Sequence, residues 1–280
     1  MSFKFFYDRI LKMNSFPNII HQIWLQGENN IPNEFQINME QNKKLHKTWT
    51  YILWDDIKII NLMRKDKTLI DTYYTLEYLH LKVDFARYVI IYIYGGVYID
   101  MDAKCQKSLD PLLKQYEEYD LILSKVNCNL LECYINCRNK TCLNNGIIIS
   151  KKNNIIMKKM IDYVLGHPHC SFLSTKITCI QNITGPKRLT DIVYKNINDK
   201  VKLLDYDYLE PCNIDKCNIT ENTYVVHKHN ISWIPNFLKR IFKFYVHNKM
   251  LIYSLIFTIF ILLIIFIYYL FRLYKRSIKN

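Results

Sequence analysis

Two carboxylates end the octet Gly-Gly-Val-Tyr-Ile-Asp-Met-Asp that occupies residues 95–102. They are Asp100 and Asp102, and they follow a short apolar run behind a glycine pair, which predicts a buried strand entered through a tight turn. Residues i and i+2 of a strand share a face, so we expect both carboxylates to point the same way. Paired oxygen ligands of this kind suit Mg²⁺ or Mn²⁺ held against a diphosphate. Because a lone Asp-x-Asp is common in turns, the metal-site interpretation needs support from neighbouring motifs.

A second polar group precedes the octet on a predicted helix. Asp84, Arg87 and Tyr88 are spaced i, i+3 and i+4, which places them on one helical face, and residues 89–94 are aliphatic or aromatic. Gly95 stands where a helix end needs a left-handed residue. An arginine is suited to bidentate contact with phosphate or sugar, and an aspartate to accepting hydrogen bonds from sugar hydroxyls. The alternative is that Asp84 and Arg87 form an exposed pair, which would contribute little stability.

Two stretches near the N-terminus predict strands that position these groups. Residues 17–27 indicate a first strand followed by a glycine turn, and residues 49–54 indicate a second strand. Trp24, at the end of the first strand, is a candidate to stack on a nucleotide base, with core packing as the equal alternative. For Trp49 and Trp54 core packing is favoured.

Four motifs occur in one order along the chain and together resemble one enzyme family. They are Ile-Ile-His-Gln-Ile-Trp at 19–24, Tyr-Ile-Leu-Trp at 51–54, Asp-x-x-Arg-Tyr at 84–88 and the octet at 95–102. The set resembles the Asp-x-Asp sugar transferases, which include fungal initiating α-mannosyltransferases and inositol-phosphorylceramide mannosyltransferases. The same catalytic core occurs in the large clostridial glucosylating toxins. The resemblance extends over residues 19–233, and four ordered motifs are far more specific than any one of them.

The resemblance implies further site residues in the second half of the chain. Asn145 would face the donor sugar or the acceptor, and a Gly-Pro turn ending at Pro186 would open a helix. His227 and Trp233 match a closing His-x5-Trp element, in which the histidine completes the metal shell and the tryptophan lies near the phosphates. His229 is the alternative ligand, because members of the family often carry adjacent histidines there.

The resemblance implies metal-dependent transfer of a hexose from a nucleotide sugar, with GDP-mannose as the expected donor and with retention of the anomeric configuration. The implied fold is α/β, a GT-A type mixed sheet flanked by helices that binds the nucleotide sugar. A Mn²⁺ or Mg²⁺ ion would stabilise the departing diphosphate as a Lewis acid. The implied residues are Asp84, Arg87, Asp100 and Asp102 for catalysis; Trp24, Asp84, Arg87, Tyr98, Asp100, Asn145 and Trp233 for the nucleotide sugar; and Asp100, Asp102 and His227 for the metal.

The C-terminal part of the chain has a different composition. Residues 250–271 contain no charged side chain, and as a helix they would extend about 33 Å, which matches the hydrocarbon core of a bilayer. Residues 239–280 hold eight Lys or Arg and no Asp or Glu, so +8 of the formal +13 lies there. This charge favours anionic lipid headgroups over nucleic acid as the partner, and no nucleic-acid-binding module is evident in the sequence. The predicted division is an N-terminal segment at 1–16, a glycosyltransferase domain at 17–238, a basic juxtamembrane segment at 239–249, a transmembrane helix at 250–271 and a basic tail at 272–280.

The chain has nine cysteines, and their redox state would indicate on which side of the membrane the domain lies. Four lie close together at 128, 133, 137 and 142, and two more, at 212 and 217, flank a short loop. The cysteines could form lumenal disulfides or remain free buried thiols, and the sequence does not decide between these states. Zinc binding is a weaker alternative, because the cluster lacks tight Cys-x2-Cys pairs. The related enzymes act in the Golgi lumen, whereas a C-terminal tail anchor would leave the domain in the cytosol. Basic residues flank the span on both sides and so do not decide its orientation.

The expected partners are a nucleotide-sugar donor, a lipid or glycan acceptor and a membrane, with an accessory membrane subunit as a further possibility. The acceptor that the anchor favours is a membrane lipid such as inositol-phosphorylceramide. One alternative is a glycoprotein or host-protein glycosyltransferase that uses another nucleotide sugar. The other is a membrane-tethered protein that binds a sugar nucleotide without turnover, and the intact Asp-x-Asp and His-x5-Trp sets argue against it.

Overall fold

The computed structural model describes residues 15–126, 137, 141–212, 217–228 and 236–277 of the 280-residue chain. These residues fall into two compact units. The first unit holds the described residues up to Lys228, and the second holds those from Asn236 onward. All the predicted site residues that are described lie in the first unit.

Eight strands occur in the described part of the first unit, and they form two sheets. In chain order they are β1 (Ile19–Ile23), β2 (Thr50–Trp54), β3 (Gly96–Ile99), β4 (Ala103–Cys105), β5 (Leu121–Ser124), β6 (Ile147–Ser150), β7 (Val201–Leu204) and β8 (Val225–His227). β4 and β8 form a small sheet, and the other six strands form the main sheet. The strands predicted near the N-terminus and before the Asp-x-Asp motif are confirmed.

Nine α-helices accompany the sheets among the described residues of this unit. In chain order they are α1 (Asn33–Leu45), α2 (Asp56–Met63), α3 (Lys67–Thr75), α4 (Leu79–Tyr94), α5 (Asp110–Gln115), α6 (Ile155–Gly166), α7 (Lys176–Ile183), α8 (Pro186–Lys195) and α9 (Tyr206–Leu209). Side chains of Asp55, Asp66, Asn154 and Thr175 accept first-turn backbone N–H groups and so begin α2, α3, α6 and α7. Helix α8 begins at Pro186, as the Gly-Pro turn predicted.

The main sheet is mixed, and its strand order brings two distant chain segments to one edge. The order is β2-β1-β3-β6-β5-β7. β1 runs parallel to β2 and β3, whereas β6 is antiparallel to β3 and β5. The end of β3 therefore meets the beginning of β6, with Ile99 paired to Ile147. The residues after Ile99 and before Ile147 thus lie side by side at this edge. The predicted α/β class, a mixed sheet flanked by helices, is confirmed.

Hydrophobic clusters hold β3 from both faces. Phe85 of α4 and Met157 of α6 are buried in one cluster together with Tyr98. Val97 and Ile99 belong to a second cluster. Successive strand residues face opposite sides, so Tyr98 packs on the α4 side while its two neighbours pack on the other. The strand that leads into the Asp-x-Asp motif is therefore fixed by the core rather than by solvent-exposed contacts.

Two glycines join α4 to β3 where other residues would be strained. Gly95 and Gly96 have φ values of +65° and +92°, which L side chains rarely adopt. A Cβ on Gly96 would also lie 2.6 Å from the carbonyl oxygen of Ile19. The glycine pair is thus required by the turn and by the close approach of β1. The predicted helix end is confirmed at Tyr94.

The small sheet carries the last strand of the unit to the Asp-x-Asp motif. Antiparallel pairing of β4 with β8 sets Ala103 opposite His227. The Lys228 N–H donates to the carbonyl oxygen of Asp102 at 3.4 Å. Asn42 of α1 donates to the carbonyl oxygen of Ala103 at 3.2 Å and so supports β4 from the other side. His227 reaches the motif only through this long-range pairing.

The second unit contains one long helix, α10 (Asn236–Ser277), with a non-helical residue at Asn248. Its stretch Met250–Arg272 has a mean hydropathy of 3.0 and is long and apolar enough to cross a membrane. No residue in the hydropathy window of this stretch is buried. The predicted apolar helix at 250–271 is therefore present.

Three disulfides occur among the described residues, joining Cys137 to Cys142, Cys170 to Cys179 and Cys212 to Cys217. The first joins two members of the predicted four-cysteine cluster, and the third joins the two cysteines that flank a short loop; in both of these pairs a disulfide is present rather than free thiols. The second was not predicted, because its cysteines stand in no recognisable spacing pattern. Cys105 is a buried free thiol, and Cys128 and Cys133 lie outside the described residues.

A buried histidine joins β1, β2 and the end of α4. His21 is fully buried, and its Nδ1 accepts a hydrogen bond from Trp54 Nε1 at 3.1 Å. Its Nε2 therefore carries the proton and donates to the Gly95 carbonyl oxygen at 3.0 Å. Burial lowers the pKa of His21 from 6.5 to about 4, against the opposing effect of the Gly95 bond. The folded unit thus holds a neutral imidazole.

We expect His21 to make the unit less stable as the pH falls from 6.5 to 4. The unfolded chain binds the proton near pH 6.5 and the folded chain only near 4, so acid stabilises the unfolded state in this window by about 3 kcal/mol. The substitution His21→Gln keeps a donor and an acceptor but does not titrate, and should flatten this dependence. Urea unfolding of the detergent-solubilised chain at neutral and acid pH measures it. Parallel losses in both proteins would contradict the assignment.

Candidate functional site

Three predicted metal ligands meet at the edge where β3 ends and β6 begins. Asp100, Asp102 and His227 each offer one ligand atom, and these atoms lie within 4.8 Å of one another. His227 Nε2 is 3.0 Å from Asp102 Oδ1 and 3.8 Å from Asp100 Oδ2. The histidine is buried, whereas both aspartates are partly exposed. The buried His227 therefore fixes the group in the protein, and the two aspartates leave it accessible to solvent.

The two aspartates converge for a different reason from the one predicted. Their spacing predicted one face of a strand, but β3 ends at Ile99 and residues 101–102 form a turn. A hydrogen bond from the Ala103 N–H to the Asp100 carbonyl oxygen, at 3.0 Å, spans this turn. The strand prediction is therefore wrong for the aspartates themselves, and the turn is what brings Asp102 beside Asp100.

Hydrogen bonds to both strands fix the position of Asp100. Its N–H donates to the carbonyl oxygen of Gly146 at 2.8 Å, which continues the β3–β6 pairing beyond the strands. The hydroxyl of Tyr98 donates to Oδ1 of Asp100 at 2.6 Å. Gln22 of β1 donates to the Asp100 carbonyl oxygen at 3.2 Å. Backbone and carboxylate are thus both held by the central strands of the sheet.

Arg87 is a buried cation that connects three elements. Its side chain is 6% exposed, and Nη2 lies 2.9 Å from Asp84 Oδ1. Nη1 lies 3.2 Å from Asp100 Oδ1 and donates to the Asn145 carbonyl oxygen at 2.7 Å. The guanidinium also lies over the ring of Tyr98, 4.5 Å from its centroid. The exposed-pair alternative for Asp84 and Arg87 is wrong, because both side chains are buried.

Asp84 is enclosed by protein donors. Thr184 Oγ1 donates to Oδ2 at 2.9 Å, and Asn145 Nδ2 donates to Oδ1 at 3.1 Å. Burial raises the pKa of Asp84 to about 6, although the neighbouring Arg87 and these donors oppose the shift. Both oxygens already accept hydrogen bonds from the protein, so Asp84 orients Arg87 and Asn145. Its contact with sugar hydroxyls stays a prediction.

The site carries more negative than positive charge. The carboxylates of Asp100, Asp102 and Glu210 all approach His227. Burial alone would lower the pKa of His227, but Glu210 and Asp102 outweigh it and hold that pKa well above its usual value. The carboxylates thus favour a positive charge at this place, which a proton or a divalent ion can supply.

The residues present fit a divalent ion. Two carboxylates and an imidazole are ligands that Mn²⁺ accepts, and the carboxylates suit Mg²⁺. Gly146 leaves the space between them clear, since a Cβ there would lie 2.5 Å from His227 Cε1 and 2.7 Å from Asp100 Oδ2. The backbone of Gly146 does not have a positive φ. Glycine is therefore required at 146 by the surrounding ligands rather than by its own conformation.

The tryptophans of the first two strands have different environments. Trp24 is partly buried, its ring packs edge-on against Phe35 at 5.6 Å, and its Nε1 donates to the Asn30 carbonyl oxygen at 3.1 Å. Base stacking by Trp24 stays a prediction. Trp49 and Trp54 are buried in the core, as favoured from the sequence.

For four other residues, the predicted contact with the nucleotide sugar or the metal stays a prediction. Tyr98 and Asn145, predicted to bind the nucleotide sugar, are buried and hydrogen-bonded to charged residues of the site. They position those residues, and direct ligand contact by them stays a prediction. Trp233 and His229 lie outside the described residues.

Glu210 is a charged residue of this site that the sequence did not predict. It is 1% exposed, and its Oε1 lies 3.1 Å from Nδ1 of His227. It follows the short helix α9 and precedes Pro211. No periodicity or motif marks it, because only the fold brings it to His227.

Comparison with known proteins shows which family the chain belongs to. The model of the glycosyltransferase sugar-binding region containing a DXD motif matches residues 32–119. An uncharacterized glycosyltransferase of Acanthamoeba polyphaga mimivirus is 32% identical over 248 residues, which cover 85% of this chain and 90% of that relative. The chain belongs to the DXD glycosyltransferases. The resemblance drawn from the four ordered motifs is thereby confirmed.

Fungal relatives match the glycosyltransferase over a shorter stretch. Inositol phosphoceramide mannosyltransferase 1 of Schizosaccharomyces pombe is 36% identical over 108 residues, 37% of this chain and 33% of that protein. The mannosyl phosphorylinositol ceramide synthase CSH1 of Saccharomyces cerevisiae is 38% identical over 99 residues, 35% of this chain and 26% of that protein. Among solved structures, the PaToxG glycosyltransferase is similar with a TM-score of 0.48 and 15% identity, covering 69% of this chain and 76% of that one.

We expect Gly146→Ala to weaken metal binding while the glycosyltransferase stays folded. The new Cβ would press on His227 and Asp100, so a ligand must shift, which we expect to cost about tenfold or more in Mn²⁺ affinity. Gly166→Ala is the matched control, because a Cβ there meets nothing within 4 Å. Titration with Mn²⁺ followed by electron paramagnetic resonance measures both. Equal affinities in the two variants would contradict the metal site.

Proposed function

We propose that this glycosyltransferase is a metal-dependent hexosyltransferase that moves mannose from GDP-mannose to a membrane-associated acceptor. The observation that carries the proposal is the convergence of Asp100, Asp102 and His227 beside the buried Arg87. Transfer from a nucleotide diphosphate needs stabilisation of the departing phosphate and a fixed position for the sugar. A metal-ligand set next to an oxyanion-binding cation meets both needs.

Each charged residue has a distinct part in this proposal. Mn²⁺ or Mg²⁺ held by Asp100, Asp102 and His227 would supply a Lewis acid for the departing diphosphate. Arg87 Nε is a buried donor with no hydrogen-bond partner among the described residues, and a sugar or phosphate oxygen of the donor would satisfy it. Asp84 holds the guanidinium in that orientation, so the positive charge is in place before the bond breaks.

The choice of GDP-mannose rests on the fungal relatives, whose names are those of mannosyl-transferring enzymes. A fold shared by many sugar transferases does not by itself specify the sugar. Another nucleotide sugar is therefore the alternative donor, and an assay of which donor is consumed distinguishes the two.

The proposed acceptor is a membrane lipid such as inositol-phosphorylceramide. The fungal relatives are named for this lipid, and the helix Met250–Arg272 would anchor the chain in a bilayer. Eight Lys or Arg in residues 239–280 would favour an anionic membrane surface. An accessory membrane subunit would pair with this span, and a glycoprotein acceptor is the alternative that the anchor also allows.

The proposed bond change is a same-face substitution that retains the anomeric configuration. The acceptor oxygen forms a bond to the anomeric carbon while the bond from that carbon to the diphosphate oxygen breaks. The electron pair leaves with the diphosphate, which takes the acceptor proton. Arg87 balances part of the negative charge that develops on the diphosphate, and the divalent ion that Asp100, Asp102 and His227 would hold would balance the rest.

We propose that the domain works in the lumen of the Golgi or another endomembrane compartment. Disulfides among the described residues, such as Cys170–Cys179, are typical of an oxidising compartment. They favour the lumen over the alternative of a cytosolic host-protein glycosyltransferase. We expect the domain to resist protease in sealed microsomes until detergent is added. Digestion without detergent would instead favour the cytosolic alternative.

We expect the detergent-solubilised chain to consume GDP-mannose only when Mn²⁺ is present. The assay offers GDP-mannose, UDP-glucose and UDP-galactose, with and without inositol-phosphorylceramide, and nuclear magnetic resonance reports the product configuration. Metal-dependent use of one UDP-sugar would correct the donor, and an inverted product would contradict the same-face mechanism. Consumption of no donor by a folded chain would favour the alternative of sugar-nucleotide binding without turnover.

We expect Asp102→Asn to lower transfer by about a hundredfold or more while the thermal midpoint stays near that of the wild type. Asparagine has the shape of aspartate but lacks the charge that a metal ion requires. The control is Asp71→Asn, which removes an exposed carboxylate that pairs with its helical neighbour Lys67 at 2.6 Å. Normal turnover by Asp102→Asn would show that Asp102 has no part in the reaction.

A further inference from the structure

We propose that Glu210 is a positioning residue, which holds His227 in the orientation and tautomer that metal binding requires. The inference deepens the proposed function, since it rests on the metal site formed by Asp100, Asp102 and His227. Nothing in the motifs that identify the family points to Glu210, and the fold alone brings it to the site.

The two nitrogens of His227 face two different carboxylates. Nδ1 lies 3.1 Å from Oε1 and 3.2 Å from Oε2 of Glu210. Nε2, on the opposite side of the ring, lies 3.0 Å from Oδ1 of Asp102. Glu210 thus contacts Nδ1 of the ring, while Nε2 is directed at the carboxylates of the Asp-x-Asp motif.

A metal ion binds the lone pair of a neutral imidazole nitrogen, so the other nitrogen must carry the proton. With Nε2 directed at the metal site, Nδ1 is the nitrogen that keeps its hydrogen, and Glu210 is placed to accept it. Asn144 also approaches Nδ1, at 3.4 Å, through its Nδ2. That group is a donor, because the Asn144 Oδ1 already accepts from the Gly146 N–H at 2.9 Å. It therefore does not replace Glu210 as an acceptor.

The burial of Glu210 has the same explanation. The residue is 1% exposed, and a carboxylate taken out of water is costly unless a donor or a cation compensates it. His227 provides such compensation, with its Nδ1 3.1 Å from Glu210 Oε1. The backbone supports the pair, since the Tyr224 N–H donates to the Tyr208 carbonyl oxygen at 2.8 Å and so ties α9 to the start of β8.

A neighbouring acidic residue provides a matched control. Asp207 lies on α9, and its Oδ2 accepts from Thr220 Oγ1 at 3.2 Å and from Asn222 Nδ2 at 3.3 Å. These bonds support the same chain segment as Glu210, but they lead to the turn before β8 rather than to His227. Asp207→Asn therefore perturbs the segment without changing the acceptor of Nδ1.

The experiment measures Mn²⁺ dissociation constants by electron paramagnetic resonance on the full detergent-solubilised chain. Glu210→Leu removes the acceptor while filling similar volume, and we expect its Kd to rise about 10- to 100-fold. Glu210→Gln keeps an oxygen that can accept from Nδ1, so its Kd should rise less than that of Glu210→Leu. Asp207→Asn should stay within about twofold of the wild type. Thermal midpoints show that each variant is folded.

Two results would overturn the positioning role. The first is a Kd of Glu210→Leu equal to that of the wild type. If Glu210→Leu does not fold, the corresponding result is an about 10- to 100-fold rise in the Kd of Glu210→Gln, although that variant keeps the acceptor. The second is an equal loss in Asp207→Asn, which would reduce Glu210 to general support of the segment. Failure of the wild type itself to bind Mn²⁺ is a different outcome, because it would refute the proposed metal-dependent function instead.

Discussion

A guanidinium buried inside a protein is costly unless its charge is balanced and its N–H groups find acceptors. Asp84 and Asp100 balance the charge of Arg87, and the carbonyl oxygen of Asn145 accepts from its Nη1, whereas its Nε has no partner among the described residues. The three partners come from α4, from the end of β3 and from the segment before β6. Losing any of them would leave a buried charge less well balanced, so the pairing sets how the helix meets the sheet edge. Asp100, the first aspartate of the Asp-x-Asp motif, therefore balances a buried charge as well as contributing to the site.

The positions of Asp102, His227 and Glu210 depend on that of Asp100. Asp102 follows Asp100 through a turn, and the strand after that turn pairs with β8, which carries His227. Glu210 then approaches His227 from the side opposite the two aspartates. The charges are thus arranged in a row, with the buried cation at one end and the histidine and its carboxylate at the other. In the proposed reaction, charges fixed in this way would need little rearrangement when the diphosphate leaves, which is the condition for efficient electrostatic stabilisation.

Local patterns were enough to predict the first two strands, the helix that ends at Tyr94 and the glycine pair, because spacing and backbone conformation decide them. The helical face shared by Asp84 and Arg87 was also predictable, but its burial was not, since Thr184 and other residues distant in sequence cover it. Convergence at the Asp-x-Asp motif was predicted for the wrong reason, a strand face instead of a turn. Glu210 and Gly146 could not be predicted from the residues alone, because their importance arises from long-range strand pairing and from the space around His227.

The position of a bound metal ion tests the proposed site most directly. Anomalous diffraction at the manganese edge from crystals of the full chain grown with Mn²⁺ and GDP would locate it. We expect one strong peak in coordination contact with carboxylate oxygens of Asp100 and Asp102 and with Nε2 of His227, with Arg87 still bound to Asp84. A peak elsewhere, or none while His227 stays hydrogen-bonded to Asp102, would contradict the assignment of this site.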